Sequence, residues 1–387
     1  MIRTGWEYDP DKNGLYPAAL ETDNSDMDKY WIRDNYFIYK AVGDSSIPEA
    51  FKEIVDRYGE KLREATRKSV EDRIESPSGH LHPRFNENLE EIDGEWADFQ
   101  IDSYANLLEV LSEEGHEEEA RKVYRYLRGI RPLETECFGP WEQEHGMHPY
   151  TLTTVVEAYR SFSENVENVP DEDLELYEQK IRRMLPEKNL SSLMILYLDP
   201  DFIDSELEKE VMEATEDLTG EHGVARWKGD DWSGNDWTAD TEPQWNMGHL
   251  LRYLATGEEE YFERQQEIKQ EYGTIPESMV RYGDGVYRPN VNNPLLWAEA
   301  LYREAERKYR MEKTVSAERF RENGDGYTLS MGSYTGIDHL EPLEAGDPGL
   351  IEFPESFEAG KPSPEAQLDV ALDNARETSL ESIDIET

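Results

Sequence analysis

The chain has a single cysteine, Cys137, in 387 residues, which excludes an internal disulfide and a cysteine metal cluster. Basic residues are scarce too. Forty Lys+Arg stand against 87 Asp+Glu, for a formal net charge of -47. That balance excludes polyanionic partners: no nucleic acid and no anionic membrane. Long apolar runs are also missing. No window approaches a membrane span, and the first residues, MIRTGWEYDPDKNG, lack the apolar core of a secretory leader. A cytoplasmic location is therefore expected. The eight histidines are scattered, and neither H-E-x-x-H nor an Asp-rich calcium loop occurs. No metal and no cofactor are expected. The acidity runs along the whole chain and not in one tail. It reads as a halophilic surface, adapted to molar salt that screens its self-repulsion.

What is present is enough for a folded core: 37% hydrophobic residues and 11% aromatics. Apolar positions recur at helical spacing over 27–42, 47–70, 102–114, 116–128, 149–164, 171–185, 189–198, 204–218, 244–256, 258–272 and 294–310. Alternation with period two is confined to 326–334. Short links between helices recur, and between them come long ones carrying aromatics, at 73–100, 129–148, 219–243 and 273–293. Helix pairs with long loops on one side predict an all-α toroid of inner and outer helices. Its long loops would gather at one end around a pocket. A solenoid competes with this layout, but no repeat of fixed period supports one. After residue 340 the chain turns rich in Pro, Gly and acid. The expected organisation is one catalytic domain over 1–340 and an acidic arm over 341–387, wrapping back through Leu350, Ile351 and Phe353.

Five stretches carry chemistry. In YWIRDNYF, Arg33 and Asp34 are adjacent in an aromatic helix start. A guanidinium fork beside a carboxylate suits the vicinal hydroxyls of a sugar, and it equally suits an ion-pair network at a helix N-terminus. In GEWADFQID, Trp96 is a stacking platform, Gln100 offers donor and acceptor, and Asp102 reads as a sugar contact or an N-cap. In GPWEQEHGMHPY, Trp141-Glu142 precedes a helix beginning near Pro149. A carboxyl pressed against an indole loses solvation and stays protonated, as a general acid must. Gln143 stands beside it. His148 is as well a structural hydrogen-bonder as a ligand contact. The fourth stretch places Trp227, Trp232, Trp237 and Trp245 within nineteen residues, among Arg226, Asp230 and Asp231. Aromatic faces with carboxylates and a guanidinium make up a carbohydrate pocket. In GTIPESMVRYGDG, Glu277 is a second carboxylate on a turn, suited to a general base or to a helix start.

Taken in order, these stretches resemble glycoside hydrolase family 15, the glucoamylase family, which includes glucodextranases and some prokaryotic trehalases. Trp31-Ile32-Arg33-Asp34 matches its W-x-R-D helix start. Gly94, Trp96, Gln100 and Asp102 match G-x-W…Q-x-D. Trp141-Glu142-Gln143 matches W-E-E. Arg226-Trp227, Asp230 and Trp245 match R-Y-x-x-D with a later Trp. Pro276-Glu277-Ser278 matches P-E-Q, with Pro294-Leu295-Leu296-Trp297 after it. The resemblance covers about 14–310 and implies an (α/α)6 barrel. It further implies an inverting, exo-acting hydrolase that releases glucose from α-linked oligosaccharides or disaccharides. Glu142 would be the general acid and Glu277 the base that activates water. Trp31, Arg33, Asp34, Trp96, Gln100, Asp102, Trp141, Gln143, Arg226, Trp227, Asp230 and Trp245 would bind the sugar. Gln143, Ser278 and Trp227 depart from the family's Glu, Gln and Tyr, which bears on substrate more than on chemistry. D-K-Y-W-x-R-D is also close to the similar domain of the phosphorylase kinase regulatory subunits, so a non-catalytic sugar-sensing domain is the competing reading.

Overall fold

The computed structural model describes residues 6–20, 27–72, 80–92, 98–198, 200–232, 243–317, 319–322 and 327–330. Trp96, Trp237 and the whole of 341–387 lie outside these residues. Eleven helices are present among them, one for each segment of helical periodicity. In chain order they are α1 (Ile32–Val42), α2 (Ser46–Asp72), α3 (Ile101–Glu113), α4 (Glu117–Ile130), α5 (Pro149–Asn165) and α6 (Asp171–Met184). There follow α7 (Ser191–Tyr197), α8 (Ser205–Glu216), α9 (Asn246–Thr256), α10 (Glu259–Tyr272) and α11 (Leu296–Ala317).

Two kinds of helix alternate. Helix α3 buries every residue from Ile101 to Ser112, whereas α6 buries only Tyr177 and Ile181. A helix covered all round belongs inside, and one with a single apolar stripe belongs outside. Contacts follow the same division: α1, α3, α5, α7 and α9 pack in succession, while α2 packs on α4. Helix α11 closes the inner ring. Its Lys308 Nζ donates to the Leu254 carbonyl of α9 at 2.7 Å, and its Trp297 ring meets Phe37 of α1 at 4.7 Å. The described fold is thus a toroid of six inner and five outer helices. Each outward step is short, as at Gly43, whose φ of 67° lets its N–H reach back to the Tyr39 carbonyl and end α1. Four of the five returns to an inner helix are long; the fifth, from α6 to α7, spans only 185–190. The returning loops therefore all arrive at the N-terminal end of the inner ring.

Helix α1 begins at Ile32, not at residue 27, because Tyr30–Trp31 (β1) pairs antiparallel with Arg84–Phe85 (β2). Similar short strands brace the other loops. Cys137–Phe138 (β3) pairs with His145–Gly146 (β4). Gln244–Trp245 (β5), Ser278–Arg281 (β6) and Tyr287–Pro289 (β7) form an antiparallel sheet with Trp245 opposite Ser278. The chain divides into two compact units, Met1–Met311 and Glu312–Thr387. In the second, Arg319–Glu322 (β8) pairs with Tyr327–Ser330 (β9) as a hairpin; β9 lies in the 326–334 stretch that alternates with period two, and β8 lies before it. No described helix is long and apolar enough to cross a membrane.

Candidate active site

A cavity of about 280 Å³ opens at the N-terminal end of the inner ring. Trp31, Arg33, Asp34, Trp141, Glu142, Gln143, Arg226, Trp245 and Glu277 all line it, with Trp232 and Trp297 completing an aromatic wall. Residues far apart in sequence meet here because the returning loops converge on it.

The turn that carries Glu142 is built locally. The Glu142 N–H donates to the Gly139 carbonyl at 3.0 Å, so Gly139-Pro140-Trp141-Glu142 is a β-turn with proline at its second position, where φ is already set. Gly139 is required, because a Cβ there would sit 2.9 Å from the His148 ring. Glu142 itself has a φ of 62°, a left-handed conformation uncommon outside glycine and asparagine. His148 Nε2 lies 3.2 Å from the Cys137 and Glu144 carbonyls and ties the loop to the start of α5. Trp141 is fixed by its indole N–H, which donates to Asn189 Oδ1 at 2.7 Å.

Arg33 is buried and reaches three partners. It donates to Asp102 Oδ2 at 3.1 Å, to Gln100 Oε1 at 2.9 Å and to Glu142 Oε1 at 2.9 Å. Gln100 Nε2 adds a second donor to Glu142 Oε1 at 3.2 Å. Gln100 and Asp102 are wholly buried behind the cavity wall. Gln100, not Asp102, is the N-cap of α3. Burial pushes the Glu142 carboxyl above its ordinary range, and Arg33 opposes this. That opposition is limited because the guanidinium is shared with Asp102, whose own carboxyl burial also pushes up. Asp34, next to Arg33 but facing the cavity, is raised to about 7, first by burial, with Arg33 opposing and Glu142 reinforcing.

Across the cavity, Arg226 and Asp230 form a buried bidentate pair, Nε to Oδ2 at 2.8 Å and Nη2 to Oδ1 at 2.6 Å. Asp230 also accepts the Trp245 indole N–H at 3.2 Å and the Trp232 backbone N–H at 3.2 Å. The guanidinium lies over Trp227 at 4.3 Å and over Trp245 at 4.7 Å. Asp230 and Trp227 thus stand behind Arg226 and do not line the cavity.

Glu277 immediately precedes β6 and not a helix. Its Oε2 accepts three hydrogen bonds, from Trp232 Nε1 at 3.2 Å, Asn290 Nδ2 at 2.5 Å and Asn292 Nδ2 at 2.8 Å. Burial raises this carboxyl as well, against the pull of those donors. The sequence reading gave no role to Asn189, Asn290 or Asn292. The signal for the last two was the N-x-N spacing in RPNVNNP, which puts both side chains on one side of an extended segment. Asn189 had no local signal, since it meets Trp141 only through folding. Among the described residues no group of His, Cys, Asp and Glu could hold a metal ion. The arrangement can place a small polar ring between two carboxyls, against indole faces.

Comparison with known proteins agrees with this architecture. No curated protein matches the sequence. A wild-type glycosidase superposes with a TM-score of 0.61 at 16% identity, over 78% of this chain and 93% of that one. A glycosidase variant in complex with glucose does so at 0.59 and 17% identity, over 78% and 93%. The glucoamylase from Saccharomycopsis fibuligera does so at 0.56 and 13% identity, over 78% and 90%. These likenesses carry the fold, an (α/α)6 toroid. The family model for glycosyl hydrolases family 15 matches residues 2–318. With that match over most of its length, the chain belongs to glycosyl hydrolases family 15 and is a glycoside hydrolase.

Proposed function

We propose that the protein is an inverting, exo-acting hydrolase that releases glucose from α-linked glucosides, of glucoamylase or trehalase type. Glu142 is the general acid and Glu277 the general base. The observation that carries this reading is the pair itself: two carboxyls, Glu277 buried and Glu142 mostly so, delivered by separate loops and lining one small cavity. In each, one oxygen is held by hydrogen bonds and the other carries none among the described residues. The free oxygen of Glu142 protonates the glycosidic oxygen as the C–O bond breaks. The free oxygen of Glu277 takes a proton from the water that attacks the anomeric carbon. Inversion requires room for that water, with carboxyls roughly 6.5–9.5 Å apart. The cavity lies near the lower limit of small-molecule sites, roughly 300–1,000 Å³, which suits a chain end and not the middle of a polymer. Trp31, Arg33, Asp34, Trp141, Gln143, Arg226 and Trp245 bind the terminal sugar, with Trp96 joining them as a stacking face. Gln100, Asp102, Trp227 and Asp230 hold those groups in place. The acidic surface suits a cytoplasm rich in salt.

The test is anomer-resolved proton NMR in about 1 M KCl on maltose, maltotriose, isomaltose, trehalose and dextran, a salt level at which surface charges are screened within roughly 3 Å. β-Glucose as the first product supports inversion and names the substrate. α-Glucose as the first product overturns the pairing of Glu142 with Glu277. Glu142→Gln and Glu277→Gln should each lower turnover by roughly 10²–10⁴-fold or more while folding persists.

A further inference from the structure

Glu277 is surrounded unusually for a buried carboxylate: among the described residues no cation touches it. Its three hydrogen-bond donors are all neutral, and all reach the same oxygen, Oε2. Two come from one short segment. Asn290 and Asn292 leave the end of β7 on the same side, and that segment is locked to Glu277 through the main chain. The Glu277 N–H donates to the Asn292 carbonyl at 3.0 Å, and the Asn290 N–H donates to the Ser278 carbonyl at 2.9 Å. The Asn290 amide is committed to the carboxylate at the expense of its other end. Its Oδ1 is buried without a hydrogen-bond partner among the described residues. An amide free to choose would not leave a buried carbonyl unbonded unless its N–H₂ were needed where it points.

Resting on the assignment of Glu277 as the base, we propose that Asn290 and Asn292 are positioning residues for the reaction: with the Trp232 indole they hold Oε2, so that Oε1 meets the water as the ionised oxygen. The geometry does two things. It fixes the carboxylate plane, so that Oε1 alone can take the proton. It also supplies hydrogen bonds that only the ionised form can accept in full, offsetting the burial that disfavours charge. The charged groups near Glu277 contribute less to this than the two asparagines. Arg226, paired with Asp230, favours the ionised form less than the asparagines do, and Asp34 lines the same cavity and opposes a second negative charge. Neither asparagine lines the cavity, so neither contacts the sugar.

The experiment measures kcat and KM against pH for Asn290→Ala, Asn292→Ala and the isosteric Asn290→Asp and Asn292→Asp, beside Glu277→Gln. The substrate is whichever glucoside the wild-type protein hydrolyses. The acidic limb of kcat/KM reports the ionisation of the base. Losing one hydrogen bond to the charged form should move that limb up by about 1 pH unit, and an Asp in its place should move it further. At a pH below the shifted limb kcat should fall about tenfold, with KM within about twofold of wild type. An Asp variant retains the packing if an Ala variant fails to fold. An unmoved limb in folded variants, or a loss confined to KM, overturns the proposal while Glu277→Gln remains inactive. Full activity in Glu277→Gln overturns the base assignment itself.

Discussion

Asp230→Asn tests how the catalytic end of the toroid is held together. Asp230 has no solvent-exposed side-chain surface, and its partner Arg226 has 4%. Each carboxylate oxygen receives donors from two sources: Oδ1 from the Arg226 guanidinium and the Trp232 backbone, Oδ2 from the guanidinium and the Trp245 indole. Asparagine has the same shape but one NH₂ end. Turned either way, that end confronts two N–H donors and leaves them unsatisfied. It also strips the buried guanidinium of its counter-charge. Removing one partner of a buried ion pair costs about 3–5 kcal/mol. With a urea m-value of roughly 3 kcal/mol/M for a chain of this size, the midpoint should fall by about 1 M or more. The assay is a urea titration in molar KCl at constant protein concentration. Adding Arg226→Met should recover much of the loss, because an apolar side chain beside Trp227 and Trp245 needs no counter-charge. A midpoint shift under about 0.3 M for Asp230→Asn alone, which is under about 1 kcal/mol, would refute the reasoning.

Three further outcomes are expected. Asp34, raised to about 7 in the folded protein from 3.8, binds a proton that the unfolded chain has already released. Stability should therefore fall as pH rises from about 4 to 7 and level off above, and Asp34→Asn should flatten that slope in thermal melts across the range. A fall in wild-type stability on acidification over the same interval contradicts this. Asn189→Ala frees the Trp141 indole N–H, so KM should rise about fivefold, the equivalent of roughly 1 kcal/mol, with kcat less affected; unchanged sugar binding by titration would count against a role for Asn189. The net charge of -47 should make the melting temperature climb steadily with KCl toward molar concentrations, where the Debye length is about 3 Å, and a flat salt response would remove the case for a salt-adapted surface.

Much of the fold was legible because a helix writes its period into the sequence. YTLTTVVEAYRSF reads as a buried inner helix, and DEDLELYEQKIRRM as an outer one with a thin apolar stripe. The two-residue strands were not legible. Tyr30–Trp31 is extended only because Arg84–Phe85 lies beside it, and pairing across more than fifty positions leaves no local pattern. The site was legible as a set of residue types: Arg33, Asp34, Trp141, Glu142, Arg226, Trp245 and Glu277 do line one cavity. Which groups touch the cavity and which stand behind was not. Gln100, Asp102 and Asp230 carry the same chemistry as the lining groups. Only the packing shows that they are bonded to Arg33, Glu142 and Arg226 behind the cavity wall.

The position of the site follows from the topology. The inner helices α1, α9 and α11 begin at the cavity wall, and a helix N-terminus offers unbonded N–H groups and positive potential. Carboxylates placed in first turns gain from this, as Asp102 of α3 does; Asp34 of α1 occupies such a turn too, but there burial outweighs the gain and raises it to about 7. The acid and base do not. Glu142 sits at the close of a β-turn and Glu277 immediately before a strand, so neither is part of a helix. The division has a chemical use. Groups that must stay charged to hold a guanidinium, such as Asp102, belong in the helical field. Groups that must exchange a proton belong on loops, where burial and a few chosen hydrogen bonds set the balance. Moving the general acid into a first turn would pull its carboxyl toward the ionised form. The strained turn at Glu142 keeps it out of that field.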